Sequence, residues 1–173
     1  MTGKTHKIGG LTAGIMATAL LFDNPVNTET WLIGLPLIAA SVLGSLLPDL
    51  DHTGSTLGKK LKFISYPLSR AFGHRGFVHS PLLCLAIGIL LHSFYFSVPS
   101  TFQPVYLGIS LGITVGYASH LFLDALTVSG IPALSPISKK KYRLMRLHTG
   151  NHEWIAIILM TILTTATVTQ CWF

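Results

Sequence analysis

Val105–Val128, VYLGISLGITVGYASHLFLDALTV, runs 24 residues without a Lys or Arg and with a single acid. A membrane-spanning helix needs about 20 mostly apolar residues, so this stretch reads as a transmembrane helix. His120 and Asp124 interrupt its apolar character. Four positions apart, they stack on one helix face one turn from each other. An ionisable group in such a helix costs roughly 2.5–3.5 kcal/mol on insertion scales, which makes the pair a mark of function. Two ligands at i and i+4 are a common way for a helix to hold a metal. The other reading of the pair is a His–Asp hydrogen bond with no metal.

The rest of the chain agrees with a membrane setting. Of its 173 residues 50% are apolar and 10% charged, with mean hydropathy +0.58. A soluble domain carries about 25% charged residues, so this chain lacks the means to cover a water-facing surface. Disorder is excluded by the apolar content. A disulfide scaffold is excluded because Cys84 and Cys171 both sit in apolar runs. The length suits one domain, residues 1–173. The expected class is all-α: a polytopic bundle of about five transmembrane helices with an amphipathic segment on the inner surface.

The other four segments are Ile8–Phe22, Trp31–Leu47, Phe77–Val98 and Trp154–Phe173. Ile8–Phe22 is short and resembles a signal peptide after Lys4 and Lys7, but the four later segments and His6 favour an uncleaved first helix. With five crossings, all twelve Lys and Arg residues fall on one side: Lys4 and Lys7, then five between 48 and 76, then five between 129 and 153. The positive-inside rule makes that side cytoplasmic, the N-terminus included. The net charge of +6 is therefore read as topology and contact with anionic lipid, not nucleic-acid binding. Leu57, Leu61, Ile64, Leu68 and Phe72 alternate with Lys59, Lys60, Lys62 and Arg70, as in an interfacial helix that Pro67 is expected to break or kink.

The rare polar residues collect on the same side. Leu47-Pro48-Asp49-Leu50-Asp51-His52 ends the second helix, where an extended turn is expected to present two carboxylates to one or two cations. Gly73-His74-Arg75-Gly76-Phe77-Val78-His79-Ser80-Pro81 opens the third, with two histidines bracketing an Arg suited to phosphate. His6 just before the first helix and Glu153 just before the fifth complete a ring. His148 and His152 are four apart in a loop, and His92 alone lies in the outer half. No nucleophile setting and no glycine-rich phosphate loop is evident. The donor set is that of zinc, manganese or iron sites.

Residues 46–52, Gly-His-Arg-Gly-Phe-Val-His-Ser (73–80), Gly-Tyr-Ala-Ser-His-Leu-Phe-Leu-Asp (116–124) and Gly-Asn-His-Glu (150–153) resemble the YdjM-like family of bacterial inner-membrane proteins, described as membrane-bound metal-dependent hydrolases. The resemblance covers essentially the whole chain. It implies a functional set of His6, Asp49, Asp51, His74, His79, His120, Asp124 and Glu153. A fainter likeness, carried by the His-x-x-x-Asp spacing, runs to the zinc-dependent phospholipase C and P1-type nuclease group. The resulting expectation is a cytoplasm-facing hydrolase that uses a divalent metal, zinc first with manganese or iron as alternatives, on an anionic, phosphate-containing substrate such as a lipid headgroup. Arg75 would neutralise phosphate charge, and Asp49 or Glu153 would act as general base. The rivals are a membrane metal-binding or transport protein and a regulatory protein with a purely structural polar cluster.

Overall fold

The computed structural model describes residues 1–25, 27–72, 76–138 and 140–173. Each of the five apolar segments is a helix: α1 Gly3–Leu21, α2 Thr28–Gly44, α5 Pro81–Ser93, α6 Gln103–Ala125 and α7 Glu153–Trp172. Two short helices, α3 Thr56–Lys60 and α4 Lys62–Phe72, lie between α2 and α5. No strand occurs among the described residues, only the isolated pairings Thr127–Leu147 and Ile131–Tyr142. The all-α class is as expected, and the count of about five spans is not confirmed. Thr28–Asp51, Ser100–Ala125 and Glu153–Trp172 are long and apolar enough to cross a bilayer, whereas Pro81–Ser97 is a shorter apolar stretch. The first segment is diluted by Gly and Thr, so it is helical without meeting that standard.

Local chemistry sets the helix boundaries. Asn27 caps α2 by accepting from the Glu29 backbone N–H at 3.1 Å. Ser80 caps α5 through Leu83 N–H at 3.3 Å, with Pro81 at the first helical position. The first helix begins at Gly3, not Ile8, so His6 lies inside it. Its amino end is stabilised from another helix: the Glu153 carboxylate accepts Thr2 N–H at 2.7 Å and Thr2 Oγ1–H at 2.6 Å. The break in the amphipathic segment falls at Leu61, not Pro67, which is held within α4. Proline there forfeits one helical bond, to the carbonyl of Phe63, in a stretch where Phe63 and Tyr66 are exposed.

Packing between α2 and α6 is the closest in the bundle, and its cause is a ladder of small residues. A Cβ at Gly108 would lie 2.3 Å from the Ile33 carbonyl oxygen, one at Gly112 2.3 Å from that of Leu37, and one at Gly116 2.0 Å from that of Ser41. The two helices thus run parallel in a four-residue register, backbone against backbone, as membrane helices do when small residues line the seam. α1 packs against both α2 and α6: Ser41 Oγ–H donates to the Gly10 carbonyl at 2.7 Å, and a Cβ at Gly10 would lie 2.7 Å from the same Ser41 carbonyl oxygen that Gly116 approaches. α7 buries Ala156, Met160 and Thr164 on one face and leaves Trp154, Ile158, Leu159, Ile162 and Leu163 exposed, a stripe suited to lipid. The start of α1, α5 and α7 and the end of α2 and α6 meet at one end of the bundle. There the 126–152 connection folds back, with Leu144 N–H donating to Ala125 O at 2.7 Å and Leu147 N–H to Leu126 O at 3.0 Å.

Candidate metal centre

Where α2 ends, the chain makes one 3₁₀ turn, Pro48–Asp51, instead of the extended turn read from the sequence. Three residues per turn send the two carboxylates different ways. Asp49 faces the bundle end, with a 20% exposed side chain and Oδ1 3.9 Å from His120 Nε2. Asp51 is fully buried, and its Oδ2 accepts from His79 Nδ1–H at 3.1 Å. His79 itself closes a second 3₁₀ turn, Phe77–His79, immediately before α5. That turn is fixed to α6 by Tyr117, whose hydroxyl donates to the Val78 carbonyl.

His120 projects from the last turns of α6 and is buried. Its Nδ1–H donates to the Ser45 carbonyl at 2.7 Å, one of the carbonyls that the end of α2 leaves without a helical partner. Both imidazoles therefore commit Nδ1 as donor and turn the Nε2 lone pair inward, the tautomer a metal-binding histidine takes when a carbonyl or carboxylate holds its other nitrogen. The two Nε2 atoms face each other at 3.3 Å, and Asp124 Oδ2 lies 3.7 Å from each. Three atoms with those separations lie on a circle of radius about 2.1 Å, so one point is a zinc–ligand bond length (~2.0–2.2 Å) from all three.

His6 stacks on His120, ring centroids 3.6 Å apart, and places Nε2 3.4 Å from Asp124 Oδ1. Neither of its ring nitrogens has a hydrogen-bond partner among the described residues, although both are buried. Such orphaned donors are rare, and a cation is one of the few partners that satisfies an imidazole lone pair. Met1 N completes the surroundings of Asp124 Oδ1 at 2.5 Å. Two overlapping sets, His6–His120–Asp124 and Asp49–His79–His120, each bring ligand atoms within 4.8 Å of one another. The residues present fit a divalent cation of the zinc, manganese or iron kind.

The structure thus gathers His6, Asp49, His79, His120 and Asp124, drawn from four separate stretches of chain. Asp51 stands behind His79 and orients it. Glu153 is not brought into the cluster: Thr2 N–H and hydroxyl, the Thr5 hydroxyl and Gly150 N–H at 3.2 Å occupy its oxygens. It ties α1 to α7, and it joins neither of the two sets of ligand atoms found among the described residues. His74 and Arg75 lie outside the described residues, as does Lys139. His148 and His152 lie near each other, ring centroids 5.8 Å apart, and join neither set of ligand atoms. Sequence reasoning missed the Ser45 carbonyl, which carries no side-chain signal, and the glycine ladder, which was readable as Gly108, Gly112 and Gly116 four apart.

The whole chain, residues 1–173, matches the family model described as YdjM inner membrane protein. It is 40% identical over 138 residues to Inner membrane protein YdjM of Escherichia coli (strain K12), a match covering 79% of this chain and 66% of that protein. The protein of that name from Shigella flexneri matches to the same extent. Uncharacterized protein YvsG of Bacillus subtilis (strain 168) is 38% identical over 152 residues, 87% of this chain and 83% of its own length. The chain thus spans just under two thirds of the length of the first two relatives. No solved structure matches it. With four ordered motifs, a whole-length family match and apolar helices long enough to cross a bilayer, the chain belongs to the YdjM family of inner membrane proteins.

Proposed function

We propose that this protein is a metal-dependent hydrolase working at the cytoplasmic face of the inner membrane, on a phosphoester such as that of a lipid headgroup. The observation that carries this reading is the convergence of His79 Nε2, His120 Nε2 and Asp124 Oδ2 on one point. A divalent cation there supplies Lewis acidity and brings the pKa of water towards 7. Zinc suits the imidazole-rich set best, with manganese and iron as the alternatives. His79, His120 and Asp124 would hold the ion, with His6 beside them, and Asp51 and the Ser45 carbonyl keep the His79 and His120 rings in the required tautomer. Asp49, the partly exposed member of the cluster, would take the proton on its carboxylate, a role its exposure supports. Glu153, with its oxygens already engaged, would not. Arg75 keeps its sequence-based assignment to an anionic substrate group.

The test is elemental analysis of the purified protein beside His79→Ala and His120→Ala, followed by release of headgroup or phosphate from vesicles of inner-membrane lipid. Stoichiometric metal lost in both variants, with hydrolysis that Asp49→Asn abolishes, supports the proposal. Protein that takes up no zinc, manganese or iron overturns it. Metal without hydrolysis in any lipid supports the rival metal-binding reading.

A further inference from the structure

We propose that the seam between α5 and α6 is the binding site for one acyl chain of an anionic glycerophospholipid, whose head then lies level with the metal centre. Two apolar cavities of about 500 and 380 Å³ open along this seam. Leu85 and Thr114 line both, so the two form one groove. Along α6 it runs from Ser110 to Ala125, a rise of about 22 Å at 1.5 Å per residue. Its hydroxyl and thiol groups are already engaged within the protein: Thr114 Oγ1–H donates to Ser110 O at 2.9 Å, Ser110 Oγ–H to Leu107 O at 3.0 Å and Ser93 Oγ–H to Leu90 O at 2.7 Å, and Cys84 Sγ lies 3.7 Å from Thr114 O; His92 lines the end away from Ala125. Gly88 helps keep it open, since a side chain there would start 3.0 Å from Thr114 Cγ2.

Three features select the occupant. The groove lies between apolar helices, α5 packing chiefly on α6 and leaving Leu82, Leu85, Ile89 and Leu90 exposed. Its deep end reaches Ala125, the residue next to Asp124, so a tail in the groove brings its head to the depth of the ligand cluster. At that end Leu144 lines the wall, flanked by Arg143 and in the same connection as Lys140, Lys141 and Arg146, a positive setting for a phosphodiester. A neutral hydrocarbon would leave that charge unanswered. Occupancy of the groove does not depend on the metal; its meaning as the substrate's tail rests on the hydrolase reading above.

The test reconstitutes the full chain in vesicles of equal parts phosphatidylglycerol and phosphatidylethanolamine, extracts it into mild detergent, and counts retained lipid by native mass spectrometry. The expected result is one phosphatidylglycerol per chain. Ala118→Trp and Leu85→Trp fill the groove from its two walls. With the cavity volume taken up by the new side chain, retained phosphatidylglycerol is expected to fall about tenfold, with metal content unchanged. Asp124→Asn is expected to lose metal and keep the lipid, which separates this inference from the metal reading. Wild-type protein that retains no lipid, a free fatty acid, or both headgroups equally overturns the proposal. So does undiminished retention by the two Trp variants.

Discussion

Gly116→Ala tests how the bundle builds its centre. An alanine Cβ at 116 would sit 2.0 Å from the Ser41 carbonyl oxygen, 2.7 Å from its carbon and 2.8 Å from Ser45 N. All three are backbone atoms, so no rotamer relieves the contact. A separation of at least 3.0 Å requires α6 to move about 1.0 Å from α2. One turn further on, the His120 Nδ1–Ser45 O bond is 2.7 Å, and the same displacement takes it to about 3.7 Å, past hydrogen-bonding distance. His120 then loses the partner that fixes its tautomer. Loss of such an orienting contact lowers metal affinity about 10–100-fold. Overpacking adds about 1–3 kcal/mol of destabilisation. The assay is a zinc titration of the detergent-solubilised protein against a competing fluorescent chelator, with thermal unfolding of the metal-free and loaded forms. Gly88→Ala is the control, because its new Cβ meets only the end of the Thr114 side chain at 3.0 Å. Wild-type zinc affinity in Gly116→Ala, with an unchanged Tm, would refute the reasoning.

Asp51→Asn keeps the shape beside His79 but removes the carboxylate that fixes its ring; metal affinity should fall about 10–100-fold by the same titration while the helix content read by circular dichroism is unchanged. His6→Ala removes a buried ring whose nitrogens have no hydrogen-bond partner among the described residues, so the protein should lose most of its metal-dependent gain in Tm. Glu153→Gln should leave metal stoichiometry intact and lower stability by about 1.5–3 kcal/mol, seen as a lower Tm with and without zinc, because it weakens charge-assisted bonds from Thr2 and Thr5.

The helices and the polar residues that define the site were legible because the bilayer enforces both. An apolar run of about 20 residues has one stable form in lipid, and a histidine or acid inside it has few tolerable places. His79, His120 and Asp124 were singled out that way, whereas His6 was read just ahead of the first apolar run. The division of labour among them was not legible, because it depends on angles. Whether Asp49 and Asp51 share a face turns on the pitch of a single turn after Pro48, and the 3₁₀ form sends one to the centre and the other behind His79. The hydrogen bonds of Glu153 were not legible for a related reason. Its position at a helix start suits a ligand, yet the Thr2 and Thr5 hydroxyls that claim it lie some 150 residues away in the chain.

Register explains why the centre forms where it does. On α6, Gly108, Gly112 and Gly116 continue at the same spacing into His120 and Asp124; on α2, Ile33, Leu37 and Ser41 continue into Ser45 and Asp49. The first three rungs are glycine against a carbonyl, at contacts that admit no side chain. At the fourth, α2 is ending at Gly44, and the room it vacates is taken by an imidazole bonded to the Ser45 carbonyl. At the fifth, Asp124 continues the α6 ridge, while Asp49, past Pro48 in the 3₁₀ turn, lies 3.9 Å from His120. One four-residue ridge therefore does two jobs in sequence, fixing helix separation through its glycines and delivering ligands at a separation already fixed. Lipid offers no hydrophobic drive to hold helices together, so precision at the ligands has to come from backbone contact along the seam. A substitution remote from the ligands should accordingly report on metal affinity in order of its distance along this ridge. Gly116→Ala should weaken zinc binding more than Gly112→Ala, and Gly112→Ala more than Gly108→Ala, although the Gly112 and Gly108 positions are equally tight at 2.3 Å. Equal losses at all three positions would mean that the ridge sets only stability and that the centre is held by its own hydrogen bonds.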